Sequence, residues 1–326
     1  VEGPLTMRAA VCGSHGPPEV VRVAELPRPA LTPGAVRVRV GAAAVNFPDV
    51  LLVAGQYQVT VPPPFVPGSE FAGVVLASDA PGFAAGDRVS GTGMYGAFAE
   101  EVVAPATSLR RTPSEVDDQR AAAFGVAYRT AYHALRSVAA LRAGDELIVL
   151  GAGGGVGLAA VQLGVLLGAS VTAVASSEAK LAAAASHGAV RVIDRRVGEL
   201  RQQLRQAVPE GADVVLDPVG GDLSEPALRS LRRGGRFVTV GYASGVIPRI
   251  PLNLVLIKGV RILGFQFQDV PPGEFTRNES ELAALLLTHP ALPHIGATYG
   301  LTDVAAALRE VADGKAIGKI VLDPRR

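Results

Sequence analysis

The stretch DELIVLGAGGGVGLAAVQLG (residues 145–164) runs from four apolar residues, Leu147 to Leu150, through a glycine-rich turn and into a second apolar stretch. A strand that feeds glycine-rich backbone opening into a helix sets helix N–H groups and the positive end of the helix dipole against a phosphate. Gly151, Gly154 and Gly157 recur every third residue, but a strict G-x-G-x-x-G started at Gly151 fails at Val156. The glycines alone are therefore weak evidence. Their context is stronger: a strand before, a helix after, and a second strand, SVTAVA (170–175), about twenty residues further on. Gly151, Gly153, Gly154, Gly155, Val156 and Gly157 are the candidate pyrophosphate loop, against the alternative of a tight structural turn.

Working outward, the same alternation continues. LIVL leads to a helix over Val156–Leu167, SVTAVA to one over Glu178–His187, and RVID to one near 198–207. ADVVLDPVG leads to one over Leu223–Leu231, and RFVTVG and VRILGF follow. Strands alternating with helices of this length predict a parallel, doubly wound Rossmann sheet in an α/β chain. Residues 7–110 differ: short apolar runs punctuated by Pro and Gly predict a β-rich domain. A chain of 326 residues is long for one core. The expected division is 1–121 rejoined by 268–326, with 122–267 as the dinucleotide-binding domain. The tail is read as two helices and a last strand.

Composition narrows the function classes. Lys+Arg 31 against Asp+Glu 30 leaves a net charge of +1, which provides no basic field for nucleic acid or an anionic membrane. One cysteine, Cys12, allows no internal disulfide and no four-thiolate site, and fits a reducing cytoplasm. The N-terminus lacks the layout of a signal peptide, and Met7 reads as a natural start after six foreign residues. Leu147 to Ser177 holds no Asp, Glu, Lys or Arg, yet glycines interrupt it too often for a membrane span of roughly 20 residues.

The end of the second strand chooses the cofactor. An NAD site places Asp or Glu there for the ribose hydroxyls. This strand ends in Ser176 and Ser177, with Lys180 one turn on and Arg195 after the third strand. Hydroxyls and cations suit the 2′-phosphate of NADPH. Glu178 lies one turn from the NAD-type position. The competing reading is a helix N-cap at Ser176 or Ser177 beside a solvated lysine.

The chain resembles the zinc-independent quinone oxidoreductases of the medium-chain dehydrogenase/reductase superfamily. NFPDVLLVAGQY (46–57), PFVPGSEFAGVV (64–75), GDRV (86–89), RTAYHAL (129–135), GAGGGVGLAAVQL (151–163), ASSEAK (175–180), DPVGG (217–221) and GKIVL (318–322) carry the resemblance over nearly the whole chain. It implies a GroES-like N-terminal domain and NADPH as cofactor. Asn46, Tyr57 and Thr130 match positions on the nicotinamide and substrate side, and Ser176, Lys180 and Lys315 match the adenosine-phosphate end. Gly241, Tyr242, Phe265 and Phe267 follow the fifth and sixth strands and are expected to border the nicotinamide half. Three residues depart from the pattern: Val53 stands where many members have arginine, Arg195 where a tyrosine is frequent, and Gly153 where alanine is.

Metal-using relatives carry histidine at the position of Ser69, and the five histidines here show no metal-ligand spacing. Metal-free hydride transfer to a quinone or an α,β-unsaturated carbonyl is the expected chemistry, with Glu70 a structural hydrogen-bonding partner. Tyr57 has two readings: a donor to the developing oxyanion, or a buried ring with its hydroxyl on backbone. An enoyl-thioester reductase and a non-catalytic NADPH-binding structural or sensor protein are the alternatives. A homodimer is expected through VRILGFQF (260–267) as an edge strand, because it carries one charge, Arg261, as protection.

Overall fold

A computed structural model describes residues 5–326; residues 1–4, part of the stretch read as preceding Met7, lie outside the described residues. Two compact units are present: one formed by the chain up to Val126 together with Leu286–Arg326, the other by Ala127–Leu285.

The second unit holds six strands: Glu146–Leu150, Ser170–Ala175, Arg191–Asp194, Ala212–Asp217, Leu231–Thr239 and Arg261–Gly264. All pairings are parallel, and taken in chain order their spatial order is 3-2-1-4-5-6. This is the dinucleotide-binding order, with the glycine-bearing strand at the reversal point where ligands approach strand C-termini. The helix Gly155–Leu166 is buried without a break from Gly157 to Gly164, as a helix apolar on nearly every side must be, and its one polar residue, Gln162, is hydrogen-bonded to Tyr128 and His187. Arg261–Gly264 is an edge strand, as expected; Phe267 lies beyond it in a 3₁₀ turn, Phe267–Asp269.

Several boundaries differ from the sequence reading. Leu231, taken as helical, opens a strand paired with Ala212, and the helix ends at Arg229. A helix at Leu252–Lys258 was not expected; Leu254 is buried, but Leu252, Leu256 and Ile257 are exposed, so its apolar residues do not form one inward stripe. The helix Pro272–Thr288 is tied to this unit. Glu279 accepts from Arg129 Nε at 2.8 Å and faces His133 Nε2 at 2.9 Å, while Tyr132 donates to Glu281 at 2.6 Å.

In the first unit, seven strands form one sheet. Ala35–Val45 is its long central member, pairing antiparallel with Glu70–Ser78, Glu101–Pro105 and the C-terminal Lys319–Asp323. Thr6–Cys12 and Val21–Pro27 pair separately. The core lies between them, around Val36, Val38, Val40, Phe71, Val89 and Phe98. A strand at Ile295–Gly300 was missed, as was a helix at Phe47–Ala54 within the region read as strands and turns. That helix has clear start and stop signals: Asn46 and Asp49 form a reciprocal capping box, Pro48 sits in the first turn, and Gly55 ends it at φ 68°.

Candidate functional site

The glycine turn is built by close approach. A Cβ on Gly157 would lie 2.0 Å from the Gly151 carbonyl oxygen, so only glycine lets the helix start against the strand end. Gly151 adopts φ 60°, and a Cβ there would strike Val219 Cγ2 at 2.6 Å, placing the DPVGG loop beside the turn. Asp217 shapes that loop: its Oδ1 accepts the N–H groups of Val219 and Gly220, each at 2.8 Å, and Ser224 donates to Oδ2 at 2.6 Å. The helix begins at Gly154 with no side-chain cap. Its first-turn N–H groups are left for an external acceptor. Gly157→Ala should cost about 1–3 kcal/mol of stability and push the helix from the turn. Thermal melts check this; an unchanged melting temperature would refute the packing argument.

At the second strand's end, Ser177 rather than Ser176 caps the helix Glu178–Ser186, accepting from Lys180 N at 3.3 Å. The capping reading is thus correct for Ser177, but the lysine beside it is not solvated. Lys180 is 9% exposed and lies across Gly153, where a Cβ would meet its Cγ at 2.4 Å. The family's usual alanine would displace this side chain. Burial first, then the positive charge of Arg195, hold the Lys180 ammonium below the ordinary lysine range. Two cations brought close at a strand C-terminus favour an anion between them. Glu178 is exposed. Lys315 belongs to the first unit, where it is exposed and paired with Asp313 at 3.0 Å.

Gly241 and Tyr242 follow the fifth strand on a loop laid against DPVGG: Ala243 N donates to Pro218 O at 3.1 Å and Ser244 N to Val219 O at 2.9 Å. Thr130, half-buried, lies on the helix Ala127–His133. On the same helix the Arg129 guanidinium sits 5.1 Å from the Phe267 ring centroid, and Phe267 meets Phe265 edge-on at 4.9 Å. Arg129, Phe265 and Phe267 thus form one cluster, and Thr130 is the next residue along the helix from Arg129.

The first unit contains a buried polar cluster that strand register assembles. Ala44 faces Glu70 across one pairing and Val45 faces Ile320 across the other, so Asn46, Glu70 and Lys319 converge. Lys319 Nζ donates to Glu70 Oε1 at 2.7 Å and to Asn46 Oδ1. Asn46 Nδ2 donates to Glu70 Oε1 at 2.9 Å and to Ser69 Oγ at 3.2 Å, and Val126 N donates to Glu70 Oε2 at 2.7 Å. Asn46 N donates to Asp49 Oδ2 at 2.7 Å, and burial pushes that carboxyl up to about 7. Asp49 and Lys319 were not singled out in the sequence, although the N-x-x-D capping pattern at 46–49 was visible. Tyr57 packs its ring on the core, and its hydroxyl makes no hydrogen bond to any described residue, so the backbone-bonded alternative does not hold.

Residues 155–284 match the zinc-binding dehydrogenase family and residues 32–114 the alcohol dehydrogenase GroES-like domain. Over 97% of its length the chain is 36% identical to quinone oxidoreductase-like protein 2 of Bos taurus, covering 92% of that protein. The chain belongs to the zinc-independent quinone oxidoreductase family. Its fold is that of the superfamily: the crystal structure of Escherichia coli quinone oxidoreductase complexed with NADPH superposes with a TM-score of 0.87 at 26% identity, covering 98% of this chain and 99% of that one. A segment of the spectinabilin polyketide synthase protein NorB of Streptomyces orinoci is 37% identical over 90% of this chain and 13% of the synthase. Despite the zinc-binding name of one matched family, Glu70 is committed to Lys319, and Ser69 precedes it. Among the described residues no three His, Cys, Asp or Glu side chains gather as metal ligands. No helix among them is long and apolar enough to cross a membrane.

Proposed function

We propose that this family member is an NADPH-dependent, metal-free reductase acting on a quinone or α,β-unsaturated carbonyl. The observation that carries the cofactor choice is Lys180, buried across Gly153 beside Arg195 at a strand end where an NAD site would place a carboxylate. The residues fit the group: glycines whose Cβ atoms would fill the cradle, an uncapped helix start and two cations. The first-turn N–H groups would hold the pyrophosphate, and Ser176, Lys180 and Arg195 the 2′-phosphate; Lys315 stays a candidate on the resemblance alone. Thr130, Gly241, Tyr242, Phe265 and Phe267 would border the nicotinamide half. NADPH, when bound, supplies the hydride. A conjugated acceptor suits a site without a Lewis acid, because its own π-system spreads the charge that develops.

Asn46, matched to the substrate side, acts indirectly in this reading. Its amide protons are committed to Glu70 and Ser69, so it orients the buried cluster, and the donor to the substrate oxygen is Tyr57. We place the reaction in the cytoplasm, where buried Cys12 would stay reduced. The resemblance to part of a polyketide synthase favours an enoyl thioester as the second substrate class.

NADPH oxidation followed against quinones, enones and acyl thioesters tests these readings. Turnover with quinone or enone is expected, and activity confined to thioesters selects the second reading. An absence of turnover with all three would leave a binding protein. Charge-assisted hydrogen bonds contribute about 1.5–3 kcal/mol, so Lys180→Ala should weaken NADPH about ten- to a hundredfold and leave NADH unchanged. Equal weakening of both would show that Lys180 does not read the phosphate. A homodimer is also proposed, through the edge strand Arg261–Gly264 with its exposed Ile262 and the exposed Leu252, Leu256 and Ile257 nearby in the chain. Light scattering at micromolar concentration should give twice the chain mass, and a monomer would refute it.

A further inference from the structure

Arg129 carries a planar fork of N–H donors of which the protein uses one side. Its Nε donates to Glu279 Oε1 at 2.8 Å and to Oε2 at 3.1 Å, and its guanidinium lies over the rings of Phe267 at 5.1 Å and Phe275 at 5.7 Å. Neither Nη1 nor Nη2 has a hydrogen-bond partner among the described residues. The side chain is 14% exposed, yet these two nitrogens are not among the unpartnered atoms sealed from solvent. The terminal edge of the fork is thus unpaired and reachable, while the rest of the side chain is packed.

A chain of hydrogen bonds fixes the direction of that edge. Arginine has only donors, so the Asn278 atom that Arg277 Nη2 meets at 2.9 Å is Oδ1. Asn278 Nδ2 then faces His133 Nδ1 at 3.1 Å, and this ring nitrogen accepts. The proton of the neutral imidazole is therefore on Nε2, which donates to Glu279 Oε1 at 2.9 Å. His133 and Asn278 have no exposure, so Glu279 cannot turn without breaking a buried bond. Glu279 in turn fixes the plane of Arg129. A planar fork held this way loses little freedom on meeting an acceptor.

Strand register places the edge within the Rossmann unit. Val149 pairs with Leu216, Leu216 with Val238, and Val238 with Leu263, so the C-terminal ends of the first, fourth, fifth and sixth strands are level. Phe265 and Phe267 leave the sheet on the same side as the glycine turn, three strand spacings of about 4.8 Å from it. With the pyrophosphate at the glycine turn and the adenosine end at Lys180, the second nucleotide extends over the fourth, fifth and sixth strands. Charge chooses the acceptor there. Glu279 already neutralises Arg129, so a second anion gains little, whereas a neutral carbonyl oxygen takes a charge-assisted hydrogen bond without like-charge repulsion. The nicotinamide ring carries one such oxygen, on its carboxamide. We propose that the Nη edge of Arg129 donates to the nicotinamide carboxamide oxygen and so fixes the rotation of the ring. This rests on the NADPH reading of the site.

Calorimetric titration of the wild type, Arg129→Lys and the double variant Arg129→Met with Glu279→Gln tests the contact. The three ligands are NADPH, its thionicotinamide analogue, in which sulfur replaces the carboxamide oxygen, and adenosine 2′,5′-bisphosphate, which lacks the nicotinamide half. Arg129→Lys keeps a counter-charge for Glu279 and removes the fork. The double variant strands no charge, and its amide at position 279 still accepts from His133. NADPH affinity should fall about tenfold or more in both, while affinity for the bisphosphate stays within about twofold. The wild type should prefer NADPH to the thio analogue by about fivefold or more, since sulfur is the poorer acceptor, and both variants should lose that preference. A merely structural role would weaken NADPH and the analogue alike. Unchanged NADPH affinity in the variants, an equal loss for the bisphosphate, or a preference that survives in the variants overturns the contact and leaves the NADPH reading intact. Absence of the preference in the wild type overturns it without any variant having to fold. Wild-type protein that binds none of the three overturns the NADPH reading itself, and this contact with it.

Discussion

Lys319→Met should destabilise the protein by about 3–5 kcal/mol, the range expected when one partner of a buried ion pair is removed. The lysine side chain is 2% exposed and Glu70 1%. Its ammonium satisfies Glu70 Oε1 and Asn46 Oδ1 from the first residue of the C-terminal strand. Methionine fills a similar volume but leaves the Glu70 carboxylate without a counter-charge, with only Asn46 Nδ2 and Val126 N donating to it. The carboxyl must then take up a proton or distort the sheet. Glu70→Gln in the same chain removes the stranded charge and should recover at least half of the loss, since the cost lies in the uncompensated ion rather than in the absent attraction. Denaturant titrations of the two variants measure both quantities. A loss below about 1 kcal/mol for the single variant would mean that water reaches Glu70 and that the cluster is not the dry site its burial indicates.

The Rossmann unit was legible because its information is local. LIVL is a continuous apolar run, SVTAVA and ADVVLD are largely apolar segments of strand length, and the turns between them are marked by glycine and proline. Once the glycine strand is taken as first, right-handed crossovers leave little choice of order. Lys180 was also legible, since its place three residues beyond a helix cap is a matter of chain position. Its burial was not, because that follows from the missing side chain at Gly153, 27 residues earlier in the chain. The cluster around Glu70 depends on register between strands far apart in sequence: Glu70 and Lys319 are separated by 249 residues. GKIVL reads as a strand with a charged first residue, and nothing local says that this charge is buried. The helix Phe47–Ala54 is a different case. Its capping box, proline and closing glycine were all present, and the surrounding β-rich pattern outweighed them. Leu252–Lys258 failed for the opposite reason: only Leu254 is buried while Leu252, Leu256 and Ile257 are exposed, so the apolar residues do not gather on one inward face.

Tyr57→Phe should slow enone reduction at least tenfold. Hydride moves only when the acceptor carbon is in near-attack range, roughly 3–3.5 Å, and the oxygen that gains charge then needs a donor already in place. The first unit offers few candidates. Asn46 has both amide protons committed, Lys319 is enclosed with Glu70, and Ser69 accepts from Asn46. Tyr57 is different: its ring is fixed against the core that contains Phe65 and Val61, and its hydroxyl is bonded to no described residue. Such a hydroxyl can meet a substrate oxygen without first breaking a bond within the protein. Removing a transition-state donor costs about 2.7–4 kcal/mol, so the loss with an enone should fall between about a hundredfold and about a thousandfold when the donor is fully engaged. A quinone, electron-poor before the hydride arrives, leans less on the donor and should lose less. Full turnover of Tyr57→Phe with both substrates, at unchanged NADPH affinity, would show that the oxyanion is held by another group.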